Sequence, residues 1–560
     1  MGPDPITIVY RSCDPERPLE ADDKRYVPLS EARGEPFSKQ GGWRHRIAQS
    51  LRRADHATTV LVSGFVGDGK STELKRLQHD LTKSLRERFA VVYVDAGQYL
   101  NAQDYSFTEV LLAIIAATGE QLRKDYGVEL LQEGYVSRKM REMKAALLSE
   151  GEGELLGADT LLSPYKISAK IALKARAQDV TRKQLWAALS GEQTTLVEEF
   201  GKAIEQQARP ALRAKGYQDL VIIIDWLEKL VCKPSAKPNE PNSHEELFLH
   251  HAPLFQQLGS HLVLTVPIEM VYSPAQGQLT YAYGREPQVI SSVRVADFLP
   301  EADRKLAYDV MCQLLTKRFE DAPNGRVEFH DVFSDQTLAH DLIHFSGGHP
   351  RSLLILVREC LSYLDALPIT RESVDAAKKH ATNNAARKVR EGWFEKLAKI
   401  VSSHQIENDD DHLAMLRTRC ILPYANGQPL YAVDPAVGQL MKLREFLWTG
   451  IRVLDKKVKA QGMSDSEIRR IVMGILDEFR DTVEVIWASL KQMKTENHFG
   501  LPTHSASSRD LPPVQEAPPS LPVTENTALA DLRRAFLRKK YQVRAYREEL
   551  DRDLDALVDD

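Results

Sequence analysis

Residues 64–72 read Gly-Phe-Val-Gly-Asp-Gly-Lys-Ser-Thr, which matches the pattern G-x-x-x-x-G-K-[ST]. An apolar, β-branched run at 60–64 leads into this stretch, and a segment with helical spacing of its apolar residues follows it. Glycines let the backbone approach a phosphate closely, while loop amides and the N-terminus of a following helix present partial positive charge. The motif in this context therefore predicts a phosphate-binding loop, or P-loop.

Seven residues of this loop are the candidate nucleotide contacts. They are Gly64, Gly67, Asp68, Gly69, Lys70, Ser71 and Thr72. In loops of this type the lysine bridges the β- and γ-phosphates, and the hydroxyl that follows it ligates Mg²⁺. The predicted cofactors are therefore ATP and Mg²⁺, with Ser71 as a metal ligand. The simpler alternative, a glycine-rich turn that exposes a lysine, does not account for the flanking strand and helix.

Apolar runs enriched in β-branched residues recur along the first 300 residues, separated by segments of helical period. They lie at 60–64, 89–96, 220–226, 261–267 and 289–295. Unbroken rather than alternating apolar strands are typical of a parallel sheet that is covered on both faces. The sequence therefore predicts an α/β P-loop NTPase core, a parallel sheet with helices on both faces.

One of these runs supplies the second element of the candidate site. Val221-Ile222-Ile223-Ile224-Asp225 ends in a carboxylate, the arrangement that holds the magnesium shell beside a P-loop. Asp225 is therefore predicted as a metal ligand and catalytic residue. Trp226 follows it instead of a second acid, and the next carboxylate is Glu228. We expect Glu228 to orient the attacking water, with a surface ion pair to Lys229 or to an arginine as the alternative.

Two further residues are catalytic candidates. Thr265, toward the end of the run HLVLTVP, has a short polar side chain suited to sensing a γ-phosphate or positioning water, although threonine is also common in strands. Arg351 lies in the first turn of a helix that begins near Pro350. A cation there is unfavourable for the helix dipole, which favours an anionic partner such as the γ-phosphate over a surface salt bridge.

Length and composition bound the class of protein. The 560 residues predict about three to five domains, and 43% apolar with 27% charged residues is ordinary for a folded chain. The net charge of -5 provides no global attraction to nucleic acid or membrane, so such binding requires a local patch. Five scattered cysteines disfavour a disulfide framework or a structural zinc site. Without a leader or membrane-length apolar run, we expect a cytoplasmic protein with no membrane contact.

Composition and periodicity divide the chain into six segments. We predict a lead-in at 1–55, the P-loop core at 56–300 with a helical insertion at about 120–200, a helical lid at 301–400, a winged-helix-like and helical region at 401–500, a proline-rich linker at 501–526, and an amphipathic C-terminal helix at 527–560. The pair Asn426-Gly427 between two apolar segments predicts a hairpin in the winged-helix-like segment.

Two segments are candidate partner sites. In the last helix, apolar residues recur every seven positions, which favours docking onto a partner protein or self-association through 527–560 over packing back onto the body. The winged-helix-like segment at 413–440 is a candidate for binding DNA. The histidines of SHEELFLHH do not have the HExxH zinc spacing and are interpreted as part of a solvated helix.

The stretches GFVGDGKSTEL, IIIDWLEK, LTVP and SGGHPRSLL resemble the motifs of prokaryotic AAA+/STAND P-loop ATPases, signalling-type NTPases often found in bacterial defence and conflict systems. The resemblance covers roughly residues 20–440, and the segment GGHPR takes the place of the family's GxP or sensor-2 motif. It implies an ATP-dependent conformational switch with effector or sensor elements appended, and it leaves the oligomeric state open.

Residue by residue, the resemblance assigns the family's P-loop lysine and serine to Lys70 and Ser71, its Walker B acid to Asp225 and its later acid to Glu228. The chain departs from the family pattern at Trp226, where relatives commonly carry a second acid. Three functions remain in view: a regulated ATPase switch, a DNA-binding initiator or loader of the AAA+ branch, and a nonhydrolysing scaffold that binds ATP.

Overall fold

The computed structural model describes residues 4–441, except 85–86, 131–133, 140, 143–188, 190, 236, 238–239, 391 and 427. The chain forms two compact units, Met1–Val374 with Ile400–Ala432, and Asp375–Lys399 with Val433–Asp560. Most of the predicted helical insertion, residues 442–500, the predicted linker and the predicted C-terminal helix lie outside the described residues. The domain boundaries therefore stay predictions.

Five parallel strands form the central sheet of the first unit. They are β1 (Thr59–Gly64), β2 (Ala90–Asp95), β3 (Leu220–Asp225), β4 (His261–Thr265) and β5 (Gln288–Ile290). Their order in the sheet is β2-β3-β4-β1-β5, and every paired neighbour runs parallel. The predicted parallel sheet is confirmed.

Ten helices precede β5 in the described part of the chain. They are α1 (Pro5–Ser12), α2 (Trp43–Arg52), α3 (Lys70–Lys83), α4 (Phe107–Tyr126), α5 (Gln193–Ala203), α6 (Arg209–Ala214), α7 (Ser243–Glu245), α8 (Ala252–Gln256), α9 (Ile268–Val271) and α10 (Ala275–Tyr283). A π-helical turn, Ile204–Ala208, joins α5 to α6, and another at Glu246–His250 follows α7.

Helices follow β5 through most of the remaining described residues. They are α11 (Glu301–Glu320), α12 (Phe329–Val332), α13 (Gln336–Phe345), α14 (Pro350–Ser362), α15 (Arg371–Ala386), α16 (Trp393–Ser403) and α17 (Asp410–Arg417). After α17, β6 (Ile421–Asn426) and β7 (Gln428–Val433) form a two-stranded sheet at the position of the predicted hairpin.

The strands of the central sheet bury both of their faces because successive side chains alternate sides. On one face, residues such as Val92, Ile222 and Leu264 pack with the apolar sides of α4, α5 and α10. On the other face, residues such as Val91 and Val263 pack with α2 and α3. Two cores on one sheet explain why the strand sequences are continuously apolar rather than alternating.

The run at 289–295 forms a shorter strand than its sequence predicts. β5 ends at Ile290, after which the backbone of Val293 pairs with Gly348 and that of Arg294 pairs with Ala32. The hydroxyl of Ser292 turns toward the P-loop. Contacts with distant segments therefore replace the sheet ladder, which is why local β propensity overestimates this strand. Within the described residues, no helix combines the length and hydropathy needed to cross a bilayer.

Two glycines test how tightly the first unit is packed. A β carbon at Gly201 in α5 would lie 2.4 Å from the carbonyl oxygen of Gln257, whereas one at Gly277 in α10 would meet nothing within 4 Å. We expect Gly201→Ala to lower the free energy of unfolding by about 1–3 kcal/mol through overpacking. Gly277→Ala should raise it by up to about 1 kcal/mol through helix propensity. Calorimetric melting of both variants measures the difference, and equal melting temperatures would contradict this account of the packing.

Candidate functional site

A cavity of about 660 Å³ lies in the first unit, at the carboxyl ends of β1, β2 and β3. In open parallel sheets, ligands bind in the crevice at this edge. The P-loop forms one wall, α14 contributes Pro350, Arg351 and Leu354, and residues 14–18 form part of the rim. Five of the seven predicted P-loop contacts line the cavity: Gly67, Gly69, Lys70, Ser71 and Thr72.

The P-loop has the backbone conformation that its glycines predict. Gly67 has φ 106° and Gly69 has φ 90°, values that residues with a β carbon rarely adopt. At Gly67 a β carbon would also lie 2.6 Å from Cβ of Arg351 and 2.7 Å from Cε1 of His349. Glycine therefore allows both the turn and the close approach of α14. Gly69 caps α3, so the N-terminus of that helix faces the loop.

Asp68 and Gly64 lie behind the cavity wall. The carboxylate of Asp68 is fully buried, accepting hydrogen bonds from the Phe65 amide at 3.2 Å and from Ser292 Oγ at 3.0 Å. Burial raises the pKa of Asp68, while the charges of Arg33 and Lys70 oppose that shift. Arg33 also donates to the backbone oxygen of Asp68. These contacts fix the loop from inside, and direct nucleotide contact by Asp68 stays a prediction.

Lys70 has its ammonium at the inner wall of the cavity and is only 3% exposed. Its Nζ donates to the backbone oxygens of Gly64 and Phe65, both at 2.8 Å, and lies 3.2 Å from Oε1 of Glu228. A buried ammonium is stable only when its charge and its donors are matched in this way. Two loop carbonyl oxygens and the Glu228 carboxylate therefore hold the side chain as a positioned cation.

Two donors hold Asp225 at the end of β3. The hydroxyl of Tyr93 donates to Oδ2 at 2.6 Å, and the Trp226 amide donates to Oδ1 at 2.7 Å. Burial and the neighbouring charge of Glu228 raise the pKa of Asp225, and the nearby Ser71 side chain acts to lower it. A hydroxyl and a carboxylate that line one cavity are oxygen ligands of the kind that Mg²⁺ prefers, so Ser71 and Asp225 fit a magnesium site.

Glu228 lies on a 3₁₀ turn, Leu227–Lys229, directly after Trp226. Burial acts to raise the pKa of Glu228, but the charges of Lys70 and Lys229, with a hydrogen bond from Thr265, lower it overall. Its Oε2 atom is buried and has no hydrogen-bond partner within the described part of the chain. The side chain therefore presents an ionised carboxylate with one unused acceptor at the cavity wall.

Thr265 reaches this site through Glu228 and is not itself one of the lining residues. Its Oγ1 accepts a hydrogen bond from the Leu227 amide at 3.0 Å and donates to the backbone oxygen of Ile224 at 3.5 Å, and the side chain helps to lower the pKa of Glu228. The observed contacts make Thr265 a positioning residue for the acidic turn. A direct contact with a γ-phosphate stays a prediction.

Trp226 has φ 81°, which is unusual for a residue with a β carbon. Its ring packs on Gly97, where a β carbon would lie 2.6 Å from the indole. Trp226 itself lines the cavity, and the ammonium of Lys229 lies 5.7 Å from its ring centroid. Trp226, which follows Asp225 in place of a second acid, therefore forms part of the cavity wall.

Arg351 lines the cavity and forms an ion pair with Glu16. Two positions earlier, His349 is buried and caps α14. Its Nδ1 accepts from the Ser352 amide at 3.1 Å and from Arg419, so Nε2 carries the proton and donates to the backbone oxygen of Val66 at 3.1 Å. Burial and the charge of Arg419 hold the pKa of His349 well below its usual value. A neutral histidine thus connects α14 to the P-loop.

The sequence interpretation missed three contributors to the site. Tyr93 interrupts the apolar strand AVVYVD, and a hydroxyl-bearing residue in an otherwise apolar strand is the feature that could have indicated its role in the site. The capping role of His349 was hidden in the SGGHPR motif. No sequence pattern indicates residues 14–18, because they reach the cavity only after the chain folds. The amide of the next residue, Leu19, donates to Oγ1 of Thr72 at 3.1 Å and holds this segment beside the P-loop.

Comparison with known proteins leaves the family open. No protein-family profile matches the sequence. No curated protein matches it either. Among solved structures, the crystal structure of Cdc6p from Pyrobaculum aerophilum aligns with 78% of this chain and 98% of its own, at 12% sequence identity and a TM-score of 0.31. A likeness at this level does not decide function, which must be argued from the geometry of the site.

The hydrogen bond between Tyr93 and Asp225 leads to a prediction about pH. Tyr93→Phe removes a donor to the ionised carboxylate, which raises the pKa of Asp225 further. A hydrogen bond to a charged group contributes about 1.5–3 kcal/mol, so Mg²⁺-dependent ATP affinity should fall about tenfold or more near neutral pH. It should recover as the pH rises, because deprotonation restores the carboxylate. Calorimetric titrations across the acid-to-neutral range provide the measurement.

Tyr105→Phe is the matched control, since its hydroxyl pairs with Ser243 at 2.8 Å and neither residue lines the cavity. An unchanged pH midpoint in Tyr93→Phe would show that the hydroxyl does not set the ionisation of Asp225.

Proposed function

We propose that this protein binds Mg-ATP, hydrolyses it, and uses the nucleotide state to control a partner or effector. The observation that carries the proposal is the placement of Lys70, Ser71, Asp225 and Glu228 on the wall of one cavity, beside the N-terminus of α3. A positioned cation, a hydroxyl–carboxylate pair and a second, ionised carboxylate are the parts that phosphate binding and phosphoryl transfer require.

The cavity fits a nucleotide in size and charge. Its volume of about 660 Å³ lies within the ~300–1,000 Å³ typical of small-molecule sites. Loop amides and the end of α3 provide fixed partial positive charge, to which the ammonium of Lys70 adds a full one. Away from the P-loop the lining is mixed, since Lys75, Arg318 and Arg351 add cations and Asp14, Glu16, Asp95 and Glu120 add carboxylates, so the positive potential is concentrated at the loop. A triphosphate is therefore the ligand class that the site favours.

Ser71 and Asp225 are the residues that would hold Mg²⁺. When bound, the ion neutralises negative charge on phosphate oxygens. Tyr93 and the Trp226 amide orient the Asp225 carboxylate and leave Ser71 beside it. This support matters because the pKa of Asp225 is raised by burial, and a protonated carboxyl is a poor metal ligand.

Glu228 is the candidate for orienting the attacking water. Its lowered pKa keeps the carboxylate ionised, and the unpartnered Oε2 supplies an acceptor. Thr265 holds the turn that carries it, and Lys70 lies 3.2 Å from its other oxygen. A ligand that draws Lys70 toward phosphate would loosen this ion pair. We therefore propose that Glu228 becomes available as a base when the site is filled.

Coupling to the rest of the chain runs through α14. His349 bonds Val66 of the P-loop and Arg419 after α17, and the hydroxyl of Tyr424 in β6 donates to the backbone oxygen of Gly347 at 2.7 Å. Arg351 adds the proposed contact with γ-phosphate. These contacts support a switch in which movement of the P-loop is transmitted to the hairpin segment.

The sequence resemblance favours a bacterial cytoplasmic protein of a defence-type system. We propose residues 527–560 as its site for a partner protein or for self-association.

Two alternatives rest on particular features. The helix α17 followed by the β6–β7 hairpin supports the alternative of a DNA-binding initiator or loader. Trp226 in place of an acid supports the alternative of a nonhydrolysing scaffold. Measuring ATP hydrolysis with and without duplex DNA separates these functions. The proposed switch hydrolyses ATP without DNA, the loader responds to duplex DNA, and the scaffold does not turn over ATP.

Removing the P-loop ammonium should abolish tight Mg-ATP binding. Lys70→Ala deletes a charge-assisted phosphate contact, and each such contact is about twice as strong as a neutral hydrogen bond. Titration calorimetry measures the affinity, and the melting temperature checks that the variant folds. Lys83→Ala, an exposed lysine in the last turn of the same helix, is the matched control and should bind ATP like the wild type. Equal ATP affinity in both variants would remove Lys70 from the site.

Neutralising Glu228 should separate binding from turnover. Glu228→Gln keeps the shape of the side chain but cannot act as a base, so ATP binding should persist while the turnover rate falls by roughly a hundredfold or more. Release of inorganic phosphate measures the rate. Glu120→Gln, at an exposed acid on the cavity rim, is the control and should leave turnover unchanged. Normal turnover in Glu228→Gln would assign the base to another residue.

A further inference from the structure

A second site candidate lies on α2 and the turn before it, away from the nucleotide cavity. From Phe37 to Arg53 the sequence has five Lys or Arg residues and no Asp or Glu, in a chain whose net charge is -5. Two of these cations are structural: Arg44 is buried against Glu73 at 2.8 Å, and Arg52 lies 3.5 Å from Glu87. The others remain to be explained.

Arg46 and Arg53 are exposed and form no ion pair within the part of the chain that the structure describes. Arg46 lies on α2 and Arg53 directly follows its last residue, so the two positions are on the same side and about 10 Å apart along the helix axis. Together with Phe37, His45, Gln49 and Ser50 they line a groove of about 470 Å³. Among the described residues no carboxylate lines this groove, so its lining is cationic.

Phe37 gives the groove an aromatic wall. Its side chain is 63% exposed and its backbone has φ 58°, a conformation that costs energy for a residue with a β carbon. The turn holds it there, because its backbone oxygen accepts from the Gln40 amide at 3.0 Å and the Gly42 amide at 2.9 Å. The ring centroid lies 6.4 Å from that of His45. An exposed ring held in a strained turn beside two free guanidinium groups is arranged for a planar, anionic ligand.

We propose that this groove binds single-stranded nucleic acid, with a base stacked on Phe37 and successive phosphates paired with Arg46 and Arg53. Stacking platforms beside a cationic track are the means by which proteins hold single strands. Gln49 offers a side-chain amide between the two arginines, whereas the hydroxyl of Ser50 accepts a hydrogen bond from Arg285. The two positions are about 10 Å apart along the helix axis, so each arginine can contact a different phosphate, which favours a strand over a single nucleotide. No residue of the groove lines the nucleotide cavity, so this site does not depend on the proposed ATPase function.

Fluorescence anisotropy of the full-length protein with a labelled oligothymidylate of about 20 nucleotides, longer than a typical site of ~4–16, tests the proposal. Arg46→Glu should weaken binding about tenfold or more and flatten the salt dependence, since each lost phosphate contact lowers the log–log slope by about 0.7. Phe37→Ala should weaken binding by about tenfold and leave the slope unchanged, because the ring carries no charge. Lys305→Glu, the same charge reversal at an exposed site on α11, should bind like the wild type.

Three outcomes would overturn the proposal: a wild-type protein that does not bind the oligonucleotide, Phe37 and Arg46 variants that bind like Lys305→Glu, or thymidine monophosphate that competes as strongly as the strand. The second outcome would place nucleic-acid binding elsewhere, and the third would make the groove a mononucleotide site. The melting temperature of each variant checks its folding. If the wild type does not bind Mg-ATP and the oligonucleotide results are as expected, only the proposed ATPase function is contradicted.

Discussion

The contact between the Lys70 ammonium and the Glu228 carboxylate is the constraint around which the site is organised. A charge that is 3% exposed must be matched nearby, and its partner comes from a strand that is not adjacent to β1. The strand order explains how this is possible. β4 lies between β1 and β3, and Thr265 at its end holds the turn that presents Glu228. The parallel sheet therefore brings together two residues 158 positions apart in sequence.

The two buried carboxylates of the site have opposite tendencies. Burial and the charge of Glu228 raise the pKa of Asp225, whereas Lys70 and Lys229 overcome the burial of Glu228 and lower its pKa. Neighbouring acids whose pKa values are shifted in opposite directions can take different catalytic roles. Asp225 depends on added positive charge to stay ionised, which suits a metal ligand. Glu228 is kept ionised by Lys70 and Lys229, which suits a base.

How far the sequence could predict the site depended on whether each contact is local. Lys70 lies in a contiguous motif and Asp225 ends an apolar strand, so pattern and position were sufficient to propose them, and the strand runs predicted the parallel sheet. The contact of His349 with Val66 joins residues 283 positions apart, and no local pattern indicates it. The same holds for Glu16 beside Arg351. The apolar run at 289–295 predicted too long a strand β5, because after Ile290 the backbone forms hydrogen bonds with distant segments instead of the sheet.

Trp226 gives this molecule an intrinsic optical reporter. Its indole forms a wall of the nucleotide cavity and is locked in place against Gly97. Two other tryptophans in the described part of the chain, Trp43 and Trp393, are buried, at 3% and 2% exposure. Indole emission responds to nearby charge and water, so the residue that follows Asp225 in place of an acid puts a chromophore where phosphate and metal charges would arrive. Occupancy of the cavity can therefore be followed without a dye, through the share of the emission that Trp226 contributes among the six tryptophans of the sequence.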